Sequence, residues 1–230
     1  MAAQTFIDAD PYRWPYNGKL DHSNTCLVVI DMQVDFCSMG GYVDSMGYDI
    51  TLLRKPIEPI RQVLDCMRRH GYHIIFTREG HRPDLSDLNE NKRWRTSRGG
   101  AEIGSPGPCG RFLVRGEPGW DIIPELAPRL GEPIVDKPGR GSFVHTDLDL
   151  LLRSKSICNL IFVGVTTDVC VHSTMRHADD LGYECLLLED CCAATVHDNH
   201  VAAVNMIKTE GGVFGSVSDS SKLLAAIGES

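Results

Sequence analysis

Three residues of this chain could together cleave an amide. Cys170 closes the stretch Thr166-Thr167-Asp168-Val169-Cys170, which follows the apolar run 159–165. Asp31 follows the apolar run 25–30, and Lys137 follows the run 133–136. A thiol is a nucleophile once deprotonated, a carboxylate can take that proton and hand it to a leaving nitrogen, and an ammonium favours both anions. The reaction this set predicts is acyl transfer from an amide, with backbone N–H groups around Thr166 and Cys170 receiving the developing oxyanion. Each residue alone has a structural account: a buried cysteine is a small apolar filler, an aspartate after a strand a cap, a lysine before Pro138-Gly139 a solvated loop residue. Their joint placement at strand ends points to chemistry.

Such residues meet only if the three runs are parallel strands of one sheet, because ligand sites of open α/β sheets gather at the carboxyl ends of the strands. A helix predicted over 168–181 would set Cys170 at a helix N-terminus, where unpaired N–H groups favour a thiolate. Elsewhere, Leu53, Ile57, Ile60, Leu64 and Met67 recur at spacings of three and four and predict a helix over 50–69, closed by Gly71. Strands are predicted at 72–77, 183–188 and 213–217, helices at 147–153 and 199–208, and a short helix at the C-terminus. Uniformly apolar strands alternating with helices predict a single α/β domain over 1–230, with a roughly six-stranded parallel sheet covered on both faces. From 78 to 120 the periodicity fails, and a long binding loop is expected.

The chain has 23 Lys and Arg against 31 Asp and Glu, a formal charge of −8, with no basic stripe, so no nucleic-acid partner is expected. No apolar stretch approaches the roughly 20 residues of a membrane span, and residues 1–10 lack a signal-peptide pattern. A cytoplasmic protein without a membrane partner is expected. The nine cysteines are scattered, several within apolar strands, as reduced core thiols are. They lack the paired spacing of a zinc site.

Three segments taken together, Val29-Ile30-Asp31-Met32-Gln33-Val34-Asp35-Phe36, Asp136-Lys137-Pro138 and Gly164-Val165-Thr166-Thr167-Asp168-Val169-Cys170-Val171, resemble the signatures of the isochorismatase-like cysteine hydrolases. The resemblance covers nearly the whole chain. Within that superfamily, Gly40-Gly41-Tyr42-Val43-Asp44, the 77–84 loop and the 115–120 segment look most like biuret hydrolases. The resemblance implies a Rossmann-like fold, a homotetramer, an Asp31-Lys137-Cys170 triad working through a thioester, and a cis peptide at Val165-Thr166. It implies no cofactor and no metal, since the nicotinamidase-type cluster of an aspartate and paired histidines has only His81 and Arg82 at the corresponding place. The expected substrate is a small neutral ureido compound, biuret first, with triuret and ureidoacrylate or another N-carbamoyl amide as alternatives.

Phe36 and Val165 are further candidates for substrate contact, with core packing an equal account of Phe36. Glu210 stands before Gly211-Gly212 where a glutamine is expected from the resemblance. An ionised glutamate only accepts hydrogen bonds, so in a pocket it would favour N–H donors and repel carboxylates. On a helix end it would simply be solvated. His172, His177 and His197 are expected on helix surfaces or polar edges. The rival class is a catalytically silent α/β module that binds a nucleotide or small anion in the same crevice; a dinucleotide site would want Gly-x-Gly-x-x-Gly after the first strand. The chain has Asp-Met-Gln-Val-Asp-Phe-Cys there.

Overall fold

Alternate side chains of the first strand, Thr25–Ile30, enter two different cores, with Leu27 and Val29 on one side and Cys26, Val28 and Ile30 on the other. This is the period-two signature of a strand buried on both faces. The computed structural model describes residues 4–228, so the ends of the expected 1–230 domain, 1–3 and 229–230, lie outside the described residues. In chain order the elements are β1 (Thr25–Ile30), the short helices α1 (Val34–Cys37), α2 (Tyr42–Ser45) and α3 (Ile50–Arg54), then α4 (Ile57–Arg69) and β2 (His73–Glu79). Next come α5 (Glu90–Arg98), a small hairpin of β3 (Pro106–Gly107) and β4 (Gly110–Arg111), β5 (Ile134–Lys137), α6 (Leu148–Ser154) and β6 (Asn159–Val165). The chain ends with α7 (His172–Asp180), β7 (Glu184–Ala193), α8 (His197–Lys208), β8 (Ser216–Ser218) and α9 (Ser220–Gly228).

Six strands form one parallel sheet in the order β5-β2-β1-β6-β7-β8. The chain steps outward from β1 through β2 to β5, then returns to the other side of β1 and runs outward again from β6. The crevice between β1 and β6 is therefore the topological switch point, where such sheets bind ligands. On one face the sheet packs against Ile60, Val63, Leu64 and Met67 of α4 and Leu223 and Ile227 of α9. On the other it meets Leu148 and Leu152 of α6, Met175 and Ala178 of α7, and Val204 and Ile207 of α8. Each large apolar side chain buried this way contributes about 1.5–3 kcal/mol.

One glycine fixes how closely the central strands approach at the crevice. Gly164 of β6 pairs with Ile30 of β1 and has φ +116°, and a Cβ there would lie 2.1 Å from the Ile30 carbonyl oxygen. Only glycine fits that backbone and that space.

Several boundaries differ from the sequence expectations for identifiable reasons. The helix expected over 50–69 is two helices: Lys55 keeps helical dihedrals, but Pro56 has no N–H to continue the ladder of α3 and starts α4 afresh. The second strand runs on to Glu79, two residues beyond the apolar run. Within the expected loop 78–120, α5 forms with Lys92 and Thr96 as its buried residues and with the Asn89 side chain accepting from the Lys92 N–H. Its buried side is polar, so no apolar period marks it. The helix expected from 168 begins as a π-helical turn, Thr167–Val171, before α7. The last strand is Ser216–Ser218 in place of 213–217.

Candidate active site

Asp31 leaves β1 with φ 50°, an unusual value outside glycine that an aspartate tolerates better than most residues. The turn it makes carries its carboxylate over the crevice, where Thr77 Oγ1 of β2 donates to Asp31 Oδ1 at 2.6 Å. Lys137, the last residue of β5, places Nζ 2.7 Å from Asp31 Oδ2. Nζ also donates to the carbonyls of Gly139 at 2.9 Å and Arg140 at 2.8 Å, so the ammonium is shared between the carboxylate and two backbone acceptors. The Val165–Thr166 peptide is cis, and the π-helical turn that follows directs Cys170 into the same space. Asp31 and Lys137 are fully buried and Cys170 is 4% exposed.

A fourth group stands among them that the sequence reading did not select. Glu79, the last residue of β2, accepts from the Cys170 thiol at 3.4 Å through Oε2, and that oxygen lies 3.6 Å from Lys137 Nζ. Its other oxygen, Oε1, is held by Lys92 Nζ of α5 at 2.7 Å, and Nζ also donates to the Pro138 carbonyl at 2.7 Å. The signal that singled out Asp31 and Lys137, a charged residue at the C-terminal end of a parallel strand, was present at Glu79 too. It was hidden because the strand was ended at 77.

The two carboxylates differ in proton affinity. Burial opposes ionisation of Glu79, but the ammonium groups of Lys137 and Lys92 outweigh it and hold the carboxyl down at about 2. Burial also raises Asp31, and there Lys137 only partly offsets it, with Glu79 adding repulsion, so Asp31 lies above the usual aspartate range. Asp31 is thus the stronger base although Glu79 accepts the thiol hydrogen bond at rest. Burial pulls Lys137 down, yet Asp31, Cys170 and Glu79 together push it above the ordinary lysine value. Cys170 is raised well above a free thiol by burial, against the pull of Lys137 and with further elevation from Asp31 and Glu79. The resting group is a thiol, not the thiolate expected from a helix N-terminus.

One atom each of Asp31, Glu79 and Cys170 lies within 4.8 Å of the others, the spacing of a possible metal-ligand set. Lys137 Nζ sits against both carboxylates and supplies the positive charge that a cation would bring there.

Cys170 opens onto a cavity of about 220 Å³ whose walls include Phe36, Tyr42, Glu79, Arg140, Thr166 and Thr195. Phe36 both lines it and belongs to the core, meeting Tyr42 edge-on with ring centroids 6.4 Å apart. Val165 is fully buried and is not part of the wall. Glu210 is a correction. Thr195, just before α8, lines the cavity, but the twelve residues of α8 carry the chain about 18 Å away before Glu210, which is exposed at the far end. The cationic wall residue is Arg140, exposed on the loop after β5. His172 is buried, unlike the expectation, but away from the cavity: Arg176 Nε donates to its Nδ1 at 2.8 Å, leaving Nε2 to face the Ala203 carbonyl at 3.2 Å.

Comparison with known proteins places these features in context. Residues 25–219 match the model of the isochorismatase domain. The ureidoacrylate amidohydrolase RutB of Acinetobacter baylyi is 33% identical over 215 residues, which cover 87% of this chain and 82% of the relative. A cysteine hydrolase from Pseudomonas syringae pv. phaseolicola superposes with a TM-score of 0.79 at 24% identity, over 100% of this chain and 99% of that one. The N-carbamoylsarcosine amidase of Thermoplasma acidophilum gives 0.66 at 24% identity, over 86% and 96%. At that identity the last two establish likeness of fold.

Proposed function

This chain belongs to the isochorismatase family and is a hydrolase of carbon–nitrogen bonds in linear amides, and we propose that it cleaves a small ureido compound through a carbamoyl-type thioester on Cys170. The observation that carries this reading is the convergence of Asp31, Lys137 and Cys170 beyond the C-terminal ends of β1, β5 and β6, with Cys170 opening onto a cavity and the other two buried behind it. Asp31 takes the thiol proton as Sγ attacks the ureido carbonyl, forming the S–C bond. Backbone N–H groups at Thr166 and Cys170 receive the oxyanion. Asp31 then gives its proton to the departing nitrogen and the C–N bond breaks. Water next attacks the thioester, loses a proton to Asp31, and the proton returns to sulfur.

The substrate's tail is proposed to carry a carboxylate, as in ureidoacrylate, which the relative's name specifies. Arg140 at the cavity wall supports that choice, being placed to meet an anion. A neutral biuret or triuret is the second reading, supported by Tyr42, Val43 and Glu79: these wall residues come from two of the segments that look like biuret hydrolases. With Glu210 outside the cavity, the repulsion of anions that favoured neutral substrates loses its source. We propose further that the enzyme acts in the cytoplasm, in keeping with its nine free cysteines, and as a homotetramer, without nucleic acid or membrane.

The test is a kinetic panel of ureidoacrylate, biuret, triuret and N-carbamoylsarcosine, read as ammonia release, with intact-mass analysis of acid-quenched enzyme. An acyl adduct on Cys170 with a preferred ureido substrate is expected. Turnover with no adduct, or with an adduct elsewhere, would overturn the thioester reading.

A further inference from the structure

We propose that Glu79 is the group that makes this site select ureido compounds, its Oε2 accepting an N–H of the ureido head while Cys170 attacks the adjoining carbonyl, a role that presupposes the amide-cleaving chemistry above. Oε1 is committed to Lys92 at 2.7 Å, and the polar partners of Oε2 among the described residues are the Cys170 thiol at 3.4 Å and the more distant Lys137 at 3.6 Å. When the thiol gives its proton to Asp31, Oε2 loses its one directed donor and becomes a free acceptor. A ureido carbon carries a nitrogen on either side at about 1.33 Å. A carbonyl within reach of Sγ therefore brings an N–H to the oxygen that Sγ itself contacts. Glu79 is 4% exposed and lines the cavity, so substrate reaches Oε2 in competition with little water.

The charge of Glu79 is maintained from every side. Lys92 faces it from α5, Lys137 from the end of β5 and Arg140 from the next loop, while Asp31, Cys170 and Tyr42 oppose it from β1, the π-helical turn and α2, and His81 lies beyond Lys92. The three cations keep it ionised across the working range. An ionised acceptor discriminates strongly in favour of N–H donors, because the donor-free alternative leaves a buried charge unpaired.

The experiment compares kcat/KM for the best ureido substrate with the rate at which p-nitrophenyl acetate, an activated ester without N–H donors, acylates Cys170. Glu79→Gln is expected to lower the ratio of ureido to ester rates by roughly 10- to 100-fold. An equal fall in both would overturn the inference and make Glu79 part of the nucleophile's own apparatus. Wild-type enzyme that is acylated by the ester but turns over no ureido compound would overturn the proposed function itself. Should Glu79→Gln not fold, two other measurements decide. N,N-dimethyl substitution of the substrate's terminal nitrogen should lower wild-type kcat/KM by a similar factor, and an unchanged value overturns the inference. Lys92→Met removes one of the cations that hold Glu79 low, so its pKa rises. Both rates share the acid limb set by Asp31, so the readout is their ratio: the ratio of ureido to ester rates should fall on acidification at a higher pH than in wild type, and a ratio that follows the wild-type profile overturns the inference.

Discussion

Lys137 shares its ammonium between Asp31 and the backbone: Nζ is 2.7 Å from Oδ2 and also donates to the carbonyls of Gly139 and Arg140. The carboxylate is charge-stabilised by an ammonium that has two other acceptors, which suits a group that must accept and release a proton each turnover.

Cys170→Ser should fold normally and lose at least about 10³-fold in kcat, because the hydroxyl is far less acidic and no histidine stands beside it. Circular dichroism and steady-state kinetics check both halves. Activity above a few per cent of wild type would remove Cys170 from the mechanism.

Asp31→Asn should lower kcat/KM by about 10²-fold or more. The wild-type pH profile carries a related signature. Asp31 must be ionised to act and its pKa is raised, so kcat/KM should be full above that value and fall as pH drops through it. The midpoint of that acid limb should lie above the ordinary aspartate value of about 3.9, and a limb at or below it would exclude Asp31 as the base.

Lys137→Met removes the one cation in contact with both buried carboxylates, and removing one partner of a buried pair destabilises by about 3–5 kcal/mol. A loss of roughly 6–20 °C in Tm is expected, together with a rate loss comparable to that of Asp31→Asn. A variant with wild-type Tm would show that the pair contributes nothing to folding.

Glu210→Gln should leave kcat/KM for neutral and anionic substrates within about 2-fold, as expected of an exposed residue remote from the cavity. A 10-fold change for either substrate would mean that Glu210 reaches a site after all, one belonging to another copy of the chain.

Prolonged dialysis against a strong chelator should not change the rate, since Lys137 supplies the positive charge between the carboxylates. Loss of activity that added zinc or iron restores would reassign Asp31, Glu79 and Cys170 as metal ligands.

The parts of this molecule legible in sequence are those whose burial is apolar. The run at β6 is buried throughout and its bounds match, and the three site residues were found because each follows an apolar strand: Asp31 directly after β1, Lys137 as the last residue of β5, and Cys170 in the turn after β6. Glu79 and Lys92 were missed for the opposite reason. β2 goes on for Arg78 and Glu79 after its apolar residues end, and α5 turns a lysine and a threonine inward, so neither shows the period that marks a buried face. Charges buried against other charges leave no hydrophobic trace. Glu210 shows the reverse error: its place where the resemblance has a glutamine suggested a pocket, but only the length of α8 reveals where it sits.

The buried group of two carboxylates, two ammoniums and a neutral thiol sums to zero, and the proposed chemistry keeps it there. Moving a proton from Cys170 to Asp31 trades one anion for another. The oxyanion then replaces the thiolate, and protonation of the leaving nitrogen restores the aspartate. No step in acylation creates or destroys net charge in a space where an isolated ion costs several kcal/mol or more. The barrier is thereby relieved of any contribution from charging the protein interior. The surplus cation, Arg140, stands outside this balance on the exposed loop, where it is free to meet whatever charge the substrate carries.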